Sequence, residues 1–129
     1  MFAVMVAAVA AFAFGALWYG LLSGPWMAAS GVEKGPDGRP LNASNPRPYL
    51  IALVAMLLVA GMMRHTFAMS GIATPGSALV AGLGIGAFFI TPWIALNNAY
   101  TSRPPALTAI DSGYAILGCG IIGTVLALF

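Results

Sequence analysis

Polar side chains that could hold a proton, an ion or a headgroup are concentrated near the end of the third apolar segment of the chain. Asn97, Asn98 and Arg103 lie there, and Asp111 and Tyr114 follow in the next apolar segment. Together they offer amide, guanidinium, carboxyl and phenol groups, which can both donate and accept hydrogen bonds. Because the surrounding sequence is almost entirely hydrocarbon, this concentration predicts a polar site.

The residues needed for common catalytic chemistry are scarce. His65 is the only histidine and Cys119 is the only cysteine. One chain therefore cannot supply two histidines to a metal or a haem, and it cannot form an internal disulfide. His65 is also predicted to lie in the opposite leaflet from the polar site, so no nucleophile there has a histidine base. We expect no enzyme activity, no metal and no cofactor.

The composition indicates whether the chain folds in water or in a membrane. Of its 129 residues, 60% are hydrophobic and 6% are charged, and the mean hydropathy is +0.94. Soluble domains carry about 25% charged residues. The net charge of +2 is dispersed along the chain and forms no basic patch for nucleic acid. The sequence therefore predicts an integral membrane protein with no nucleic-acid partner.

Four apolar segments are each long enough to cross a bilayer, for which about 20 residues suffice. A hydrophilic loop at residues 31–46 follows the first segment, and short turns connect the others. The pattern predicts a single all-α domain over residues 1–129, folded as an integral membrane bundle of four transmembrane helices. The predicted helices cover residues 2–22, 48–69, 77–98 and 105–129.

Glycine, proline and small residues mark the expected irregularities and packing faces of these helices. Gly24-Pro25-Trp26 is expected to break the first helix and to lay a short second piece along the membrane interface. Pro92 is expected to kink the third helix just before Trp93. Small residues at every fourth position of the first helix predict a face for close helix packing: Ala3, Ala7, Ala11 and Gly15.

The basic residues predict an orientation in the membrane. Four basic residues lie on the side of the loops after helices one and three, and Arg64 alone lies on the other side. The positive-inside rule then places those loops in the cytoplasm and both termini outside. Arg64 lies about a turn and a half from its helix end, so it is expected to snorkel to the interface. A functional role for Arg64 or His65 stays open. The four basic residues are Lys34, Arg39, Arg47 and Arg103.

This topology brings the polar and aromatic residues of four helix ends into the cytoplasmic leaflet, where we define a candidate polar cluster. Asp111 lies about 9 Å along its helix. Its carboxyl is expected to be hydrogen-bonded, protonated or paired with Arg103 or Arg47, because a bare carboxylate is costly there. Some of the aromatic members can instead serve as interface anchors. The cluster consists of Trp18, Tyr19, Trp26, Trp93, Asn97, Asn98, Arg103, Asp111 and Tyr114.

A wider pattern covers most of the chain and consists of Gly15-Ala16-Leu17-Trp18-Tyr19 with Trp26, Asn97-Asn98 with Arg103-Pro104, and Ile110-Asp111-Ser112-Gly113-Tyr114. It resembles the small bacterial membrane proteins of the domain of unknown function family 1761. The resemblance implies a four-helix, multi-pass protein of the bacterial inner membrane whose signature residues lie in the candidate cluster, and it implies no established activity. Arg64 and His65 lie outside it.

Three kinds of function are compatible with these features. We expect a structural role first, as an accessory subunit of a larger membrane complex or as a homo-oligomeric scaffold, because small-residue faces favour helix association. The first alternative is a transporter or channel for a small solute or protons that uses Asp111. The second is a module that binds a lipid or quinone headgroup in the cluster. The sequence alone identifies no substrate, partner protein or oligomeric number.

Overall fold

Four long helical spans run through the computed structural model, which describes the whole chain from residue 1 to residue 129. Each span is long and apolar enough to cross a membrane. The all-α architecture with four candidate spans confirms the fold class predicted from hydropathy. The spans are Phe2–Leu21, Arg47–Ser70, Pro75–Tyr100 and Pro105–Leu128.

Six α-helices and one π turn make up the chain's helical structure. Five of the helices and the π turn form the four spans, and one short helix follows the first span. The π turn, Gly86–Ile90, joins two helices into the third span. The helices are α1 (Phe2–Leu21), α2 (Ser23–Ser30), α3 (Arg47–Ser70), α4 (Pro75–Ile85), α5 (Thr91–Tyr100) and α6 (Pro105–Leu128).

The third span extends two residues further at each end than the predicted 77–98. Thr74 caps its start, where the Oγ1 atom accepts a hydrogen bond from the backbone N–H of Ser77 at 3.2 Å. Pro75 occupies the first turn, as prolines often do. At the other end Thr101 Oγ1 donates to the Asn97 carbonyl at 3.0 Å. These polar ends lie outside the apolar pattern from which the prediction was made.

The break after the first span lies earlier than predicted. α1 ends at Leu21 and α2 begins at Ser23, so Leu22, with φ −103° and ψ 17°, separates them. Gly24 and Pro25 lie in the first turn of α2, where a proline is tolerated because its missing N–H would have no helical partner. Gly24-Pro25-Trp26 therefore begins the short helix and does not break the first one.

The irregularity expected at Pro92 takes the form of a π turn directly before it. The backbone N–H of Thr91 donates to the carbonyl of Gly86, five residues earlier. A proline cannot donate to the helix ladder and crowds the preceding turn. The wider π turn relieves this conflict, and the helix continues through Pro92 to Tyr100.

The last helix, α6, is the centre of the bundle. It packs against α1, α3, α4, the π turn and α5, whereas α3 packs mainly on α1 and makes no extensive contact with α4 or α5. Glycine permits the closest approach: a Cβ at Gly82 would collide with the backbone of Cys119, and one at Gly123 with that of Ala78. α4 and α6 therefore touch through their backbones.

The predicted packing face of α1 is confirmed, since Ala3, Ala7, Ala11 and Gly15 are all buried. The hydrophobic core joins this face to residues of α3, α4 and α6. It includes Phe67, whose ring lies 3.4 Å from a Cβ built on Gly123, and therefore fills the half of the bundle that contains the chain termini. Phe2 and Phe129 contact each other edge to face in the same half, with ring centroids 5.4 Å apart.

The backbone contact of α4 with α6 predicts a contrast between two glycines of one helix. Gly82→Ala should lower the free energy of unfolding by about 1–3 kcal/mol, because the new methyl group overlaps the Cys119 backbone. Gly84→Ala should be neutral or stabilising by up to about 1 kcal/mol, because nothing lies within 4 Å of its Cβ. Thermal unfolding of both variants in detergent checks the contrast, and equal melting temperatures would contradict it.

Candidate functional site

A hydrogen bond between α1 and α6 lies at the centre of the site. Tyr19 Oη donates to Asp111 Oδ1 at 2.8 Å, and both side chains are half-buried. The predicted arginine partners of this carboxyl are elsewhere: Arg103 Nη1 donates to the Ser30 carbonyl at 2.7 Å, and Arg47 is exposed at the start of α3. Asp111 is therefore hydrogen-bonded, which was one of the predicted alternatives. Its partner is the phenol of Tyr19 and not an arginine.

Two further side chains of the candidate cluster bind backbone carbonyls of the neighbouring helix. Trp18 Nε1 donates to the Ile110 carbonyl at 2.9 Å. Tyr114 Oη donates to the Ala11 carbonyl at 3.0 Å and also contacts Met56 Sδ of α3 at 3.4 Å. A helical carbonyl has a second lone pair, so it can accept such a bond without losing its own. These contacts tie α1 to α6 without exposing an unpaired donor to hydrocarbon.

Aromatic rings form a continuous wall around the Tyr19–Asp111 pair. Tyr19 packs edge to face against Trp26 of α2 and Tyr114 of α6, with centroid distances of 5.9 Å and 5.5 Å. Phe14 connects Trp18 and Tyr114, at 5.9 Å and 6.1 Å. The sequence analysis omitted Phe14, although its spacing of four residues from Trp18 places both on one face of α1.

The remaining members of the candidate cluster form no hydrogen bond and no ring contact with this wall. Trp93 is 67% exposed, and Asn97 and Arg103 are exposed too. Trp93 and Asn97 do share a helical face, but that face of α5 is the outer one. Asn98 is part-buried, where its Nδ2 donates to Thr108 Oγ1 of α6 at 3.1 Å.

A cavity of 990 Å³ has the Tyr19–Asp111 pair in its wall and extends between the helices. α1, α3 and α6 form most of its wall, and Ile90 and Ile94 face it from the third span. Cys119 and Ile122 line its inner end. The cavity exists because α3 packs on α1 and α6 but stays apart from α5, whereas the other half of the bundle is filled by the core.

The mouth of this cavity is formed by the loop that the sequence analysis interpreted only as a solvated connection. Arg39, Asn42 and Ala43 of the loop line it, together with Tyr49 of α3. Tyr49 Oη donates to the Ala43 carbonyl at 2.8 Å, which fastens the loop to the start of α3. The charged residues of the loop did not indicate that it lies at the mouth of a cavity, because local composition does not encode contacts between distant segments.

The arrangement of the Tyr19–Asp111 pair beside a mostly apolar cavity is suited to binding. Asp111 and Tyr19 engage each other, and no serine or threonine hydroxyl is hydrogen-bonded to a base beside them. His65 is exposed on α3 two residues from Phe67, in the half of the bundle that contains the termini. The polar pair can instead orient a ligand that lies against the apolar wall of the cavity.

The Tyr19–Asp111 hydrogen bond predicts a specific loss in Tyr19→Phe. Removing the O–H leaves a half-buried carboxyl without this donor, which should lower the free energy of unfolding by about 1–3 kcal/mol. Tyr100→Phe is the matched control, because Tyr100 is 85% exposed and should tolerate the change. Chemical or thermal unfolding in detergent measures both, and a Tyr19→Phe variant as stable as Tyr100→Phe would show that the bond is unimportant.

Comparisons with known proteins place these residues in a family context. No curated protein and no solved structure matched the chain. One family model matches residues 2–127, a range that contains the whole candidate site and all of the helical residues except Leu128. The resemblance found in the Trp18-Tyr19, Asn97-Asn98 and Asp111 motifs is thereby confirmed. The chain belongs to the family described as protein of unknown function DUF1761.

Proposed function

We propose that this protein binds an amphipathic molecule of the bilayer, a lipid or a quinone-like compound, inside its interhelical cavity. The observation that carries the proposal is a 990 Å³ cavity that is apolar in its depth and polar at its mouth. Small-molecule sites in proteins occupy about 300–1,000 Å³ and are mostly apolar with a few placed polar groups. The cavity has that character and lies at the upper end of that range.

The depth of the cavity suits a hydrocarbon chain. Asp111 and Ile122 both line it, and these residues are eleven positions apart on α6, which corresponds to about 16 Å along a helix. That length covers about half of a hydrocarbon core of about 30 Å. A ligand with its polar end beside Tyr19 and Asp111 would therefore extend its chain to the middle of the membrane.

The packing of the bundle favours a binding site over the transport alternative. The cavity ends at Cys119 and Ile122, and beyond them the core residues Phe67, Ala78 and Leu126 are buried. A close-packed interior of this kind contains no continuous path for a solute. The Asp111 carboxyl proposed for proton coupling is also already engaged by Tyr19.

Filling the cavity should displace the ligand. Ala52 lines the cavity from α3, so Ala52→Phe places a ring in the space that the ligand would occupy. Ala55 of the same helix lines a shallow groove with Leu50, Val54 and Leu58, away from the cavity, so Ala55→Phe is the matched control. Native mass spectrometry of protein extracted in mild detergent should show a retained lipid-like molecule on the wild type and on Ala55→Phe.

The same spectra should show that molecule reduced at least tenfold on Ala52→Phe, with the melting temperature of the variant reported beside it. Wild-type protein that retains nothing under these conditions would contradict the proposal. Equal retention by both phenylalanine variants would contradict it too, because the ligand would then lie elsewhere on the surface.

A structural role, as a homo-oligomeric scaffold or an accessory subunit, is our second candidate, favoured by one observation on α5. The Asn97 amide is exposed on the outer face of this spanning helix, beside the exposed rings of Trp93 and Tyr100. An amide directed at lipid gains a hydrogen bond when a second helix covers it. The native mass spectra also count subunits: masses of two or more chains, or of a larger partner, would support this role, and only monomers would exclude it.

The basic residues support an orientation in which the cavity mouth faces the cytoplasm of a bacterial cell. Lys34, Arg39 and Arg103 lie at the mouth end of the bundle, whereas Arg64 lies towards the termini. We therefore propose that the protein lies in the inner membrane with both termini outside. A cysteine introduced at Ser44 in a Cys119→Ala background should resist a membrane-impermeant thiol reagent added to intact spheroplasts and react after lysis. Labelling before lysis would reverse the assignment.

A further inference from the structure

We propose that the mouth of the cavity binds the phosphate of an anionic lipid, an inference that rests on the proposed binding of a bilayer ligand and identifies its headgroup. The mouth combines one cation with several hydrogen-bond donors that have no partner within the chain. Phosphate oxygens are strong acceptors for such groups, and arginine binds them with a planar fork of N–H donors.

The unused donors come from two elements on opposite sides of the mouth. Arg39 and Asn42 belong to the loop, and Ser23 and Trp26 belong to α2. All four line the cavity, and none of their side chains forms a hydrogen bond within the protein, although Tyr19, Tyr49 and Tyr114 nearby are all hydrogen-bonded. Free donors around one opening are the complement of a ligand rich in acceptors.

The loop fixes the position of Arg39 at the opening. The backbone N–H of Gly35 donates to the Arg39 carbonyl at 2.7 Å, and that of Leu41 donates to the Glu33 carbonyl at 2.8 Å. Residues 33–41 therefore form a short antiparallel hairpin. Gly38 has φ +80°, a conformation that glycine adopts without strain. This preorganised backbone reduces the entropy lost when the loop holds a ligand.

The acidic residues of the loop leave the Arg39 guanidinium free. Asp37 Oδ1 accepts the backbone N–H of Arg39 at 3.1 Å, so this carboxylate stabilises the turn and does not pair with the guanidinium. Neither Asp37 nor Glu33 lines the cavity. The one carboxyl that does, Asp111, lies below the mouth in α6 and accepts from Tyr19. The mouth is thus cationic at the level where a headgroup would lie.

Two lipids that differ only by a phosphate test this inference: dioleoyl phosphatidic acid and dioleoylglycerol, titrated into delipidated protein and measured by native mass spectrometry. Wild-type protein should bind phosphatidic acid about tenfold more tightly, because hydrogen bonds to a charged group are stronger than those between neutral groups. Arg39→Gln should reduce this preference to about twofold or less. Lys34→Gln is the matched control, because Lys34 is a cation of the same loop that does not line the cavity.

Each outcome has a distinct meaning. Equal affinity of wild-type protein for both lipids, with both lost in Ala52→Phe, would overturn the phosphate site and leave the proposed binding function standing. Failure of both lipids to bind wild-type protein, or an Ala52→Phe variant that still binds both, would overturn the function itself. If Lys34→Gln lowers the preference as much as Arg39→Gln does, the preference depends on the overall charge of the loop, and the phosphate site at the mouth is overturned. Displacement of phosphatidic acid by glycerol 3-phosphate at similar concentration would identify a soluble phosphate compound as the ligand. It would overturn the proposal that the ligand is a lipid.

Discussion

The backbone contact between α4 and α6 is the constraint on which the rest of the structure depends. Gly82 and Gly123 let the two helices approach until only backbone separates them, and the alanine face of α1 packs α6 from another side. In the other half of the bundle, glycines receive rings instead: a Cβ on Gly113 would lie 2.5 Å from the Trp18 ring, and one on Gly15 2.8 Å from Tyr114 Oη. α3 makes no extensive contact with α5, and the cavity occupies the space between them.

The polar contacts of the site follow from the same packing. Polar side chains of a spanning helix gain stability from partners within the protein, because lipid offers no hydrogen bonds. The rings of Trp18, Tyr19 and Tyr114 cross the α1–α6 interface, and each finds an acceptor on the opposite helix. The wall therefore stabilises the bundle and at the same time presents the Tyr19–Asp111 pair to the cavity. A structural role and a binding role for these residues are consequently compatible.

The sequence predicted the fold more completely than the site, for physical reasons. Hydropathy specifies which segments enter the membrane, and small-residue spacing identified the buried face of α1 because close packing excludes larger side chains. It could not show which face of α5 turns inward, so it grouped Asp111 with Trp93 and Asn97, which lie on the exposed face of that helix. Nor could it identify Tyr19 as the partner of Asp111, since 92 residues separate them and charge pairing suggested an arginine. The cavity and its loop depend on contacts between distant segments, which no local pattern encodes.

The most direct test of the cavity as a ligand site is an experimental density map of the protein reconstituted in lipid nanodiscs. The proposal predicts an elongated density between α1, α3 and α6, with its bulkier end beside Arg39 and Trp26 and its tail reaching Cys119. A map in which α3 closes against α5 and side chains fill this space, with no density for a ligand, would contradict the proposed function and leave the scaffold role as the remaining candidate.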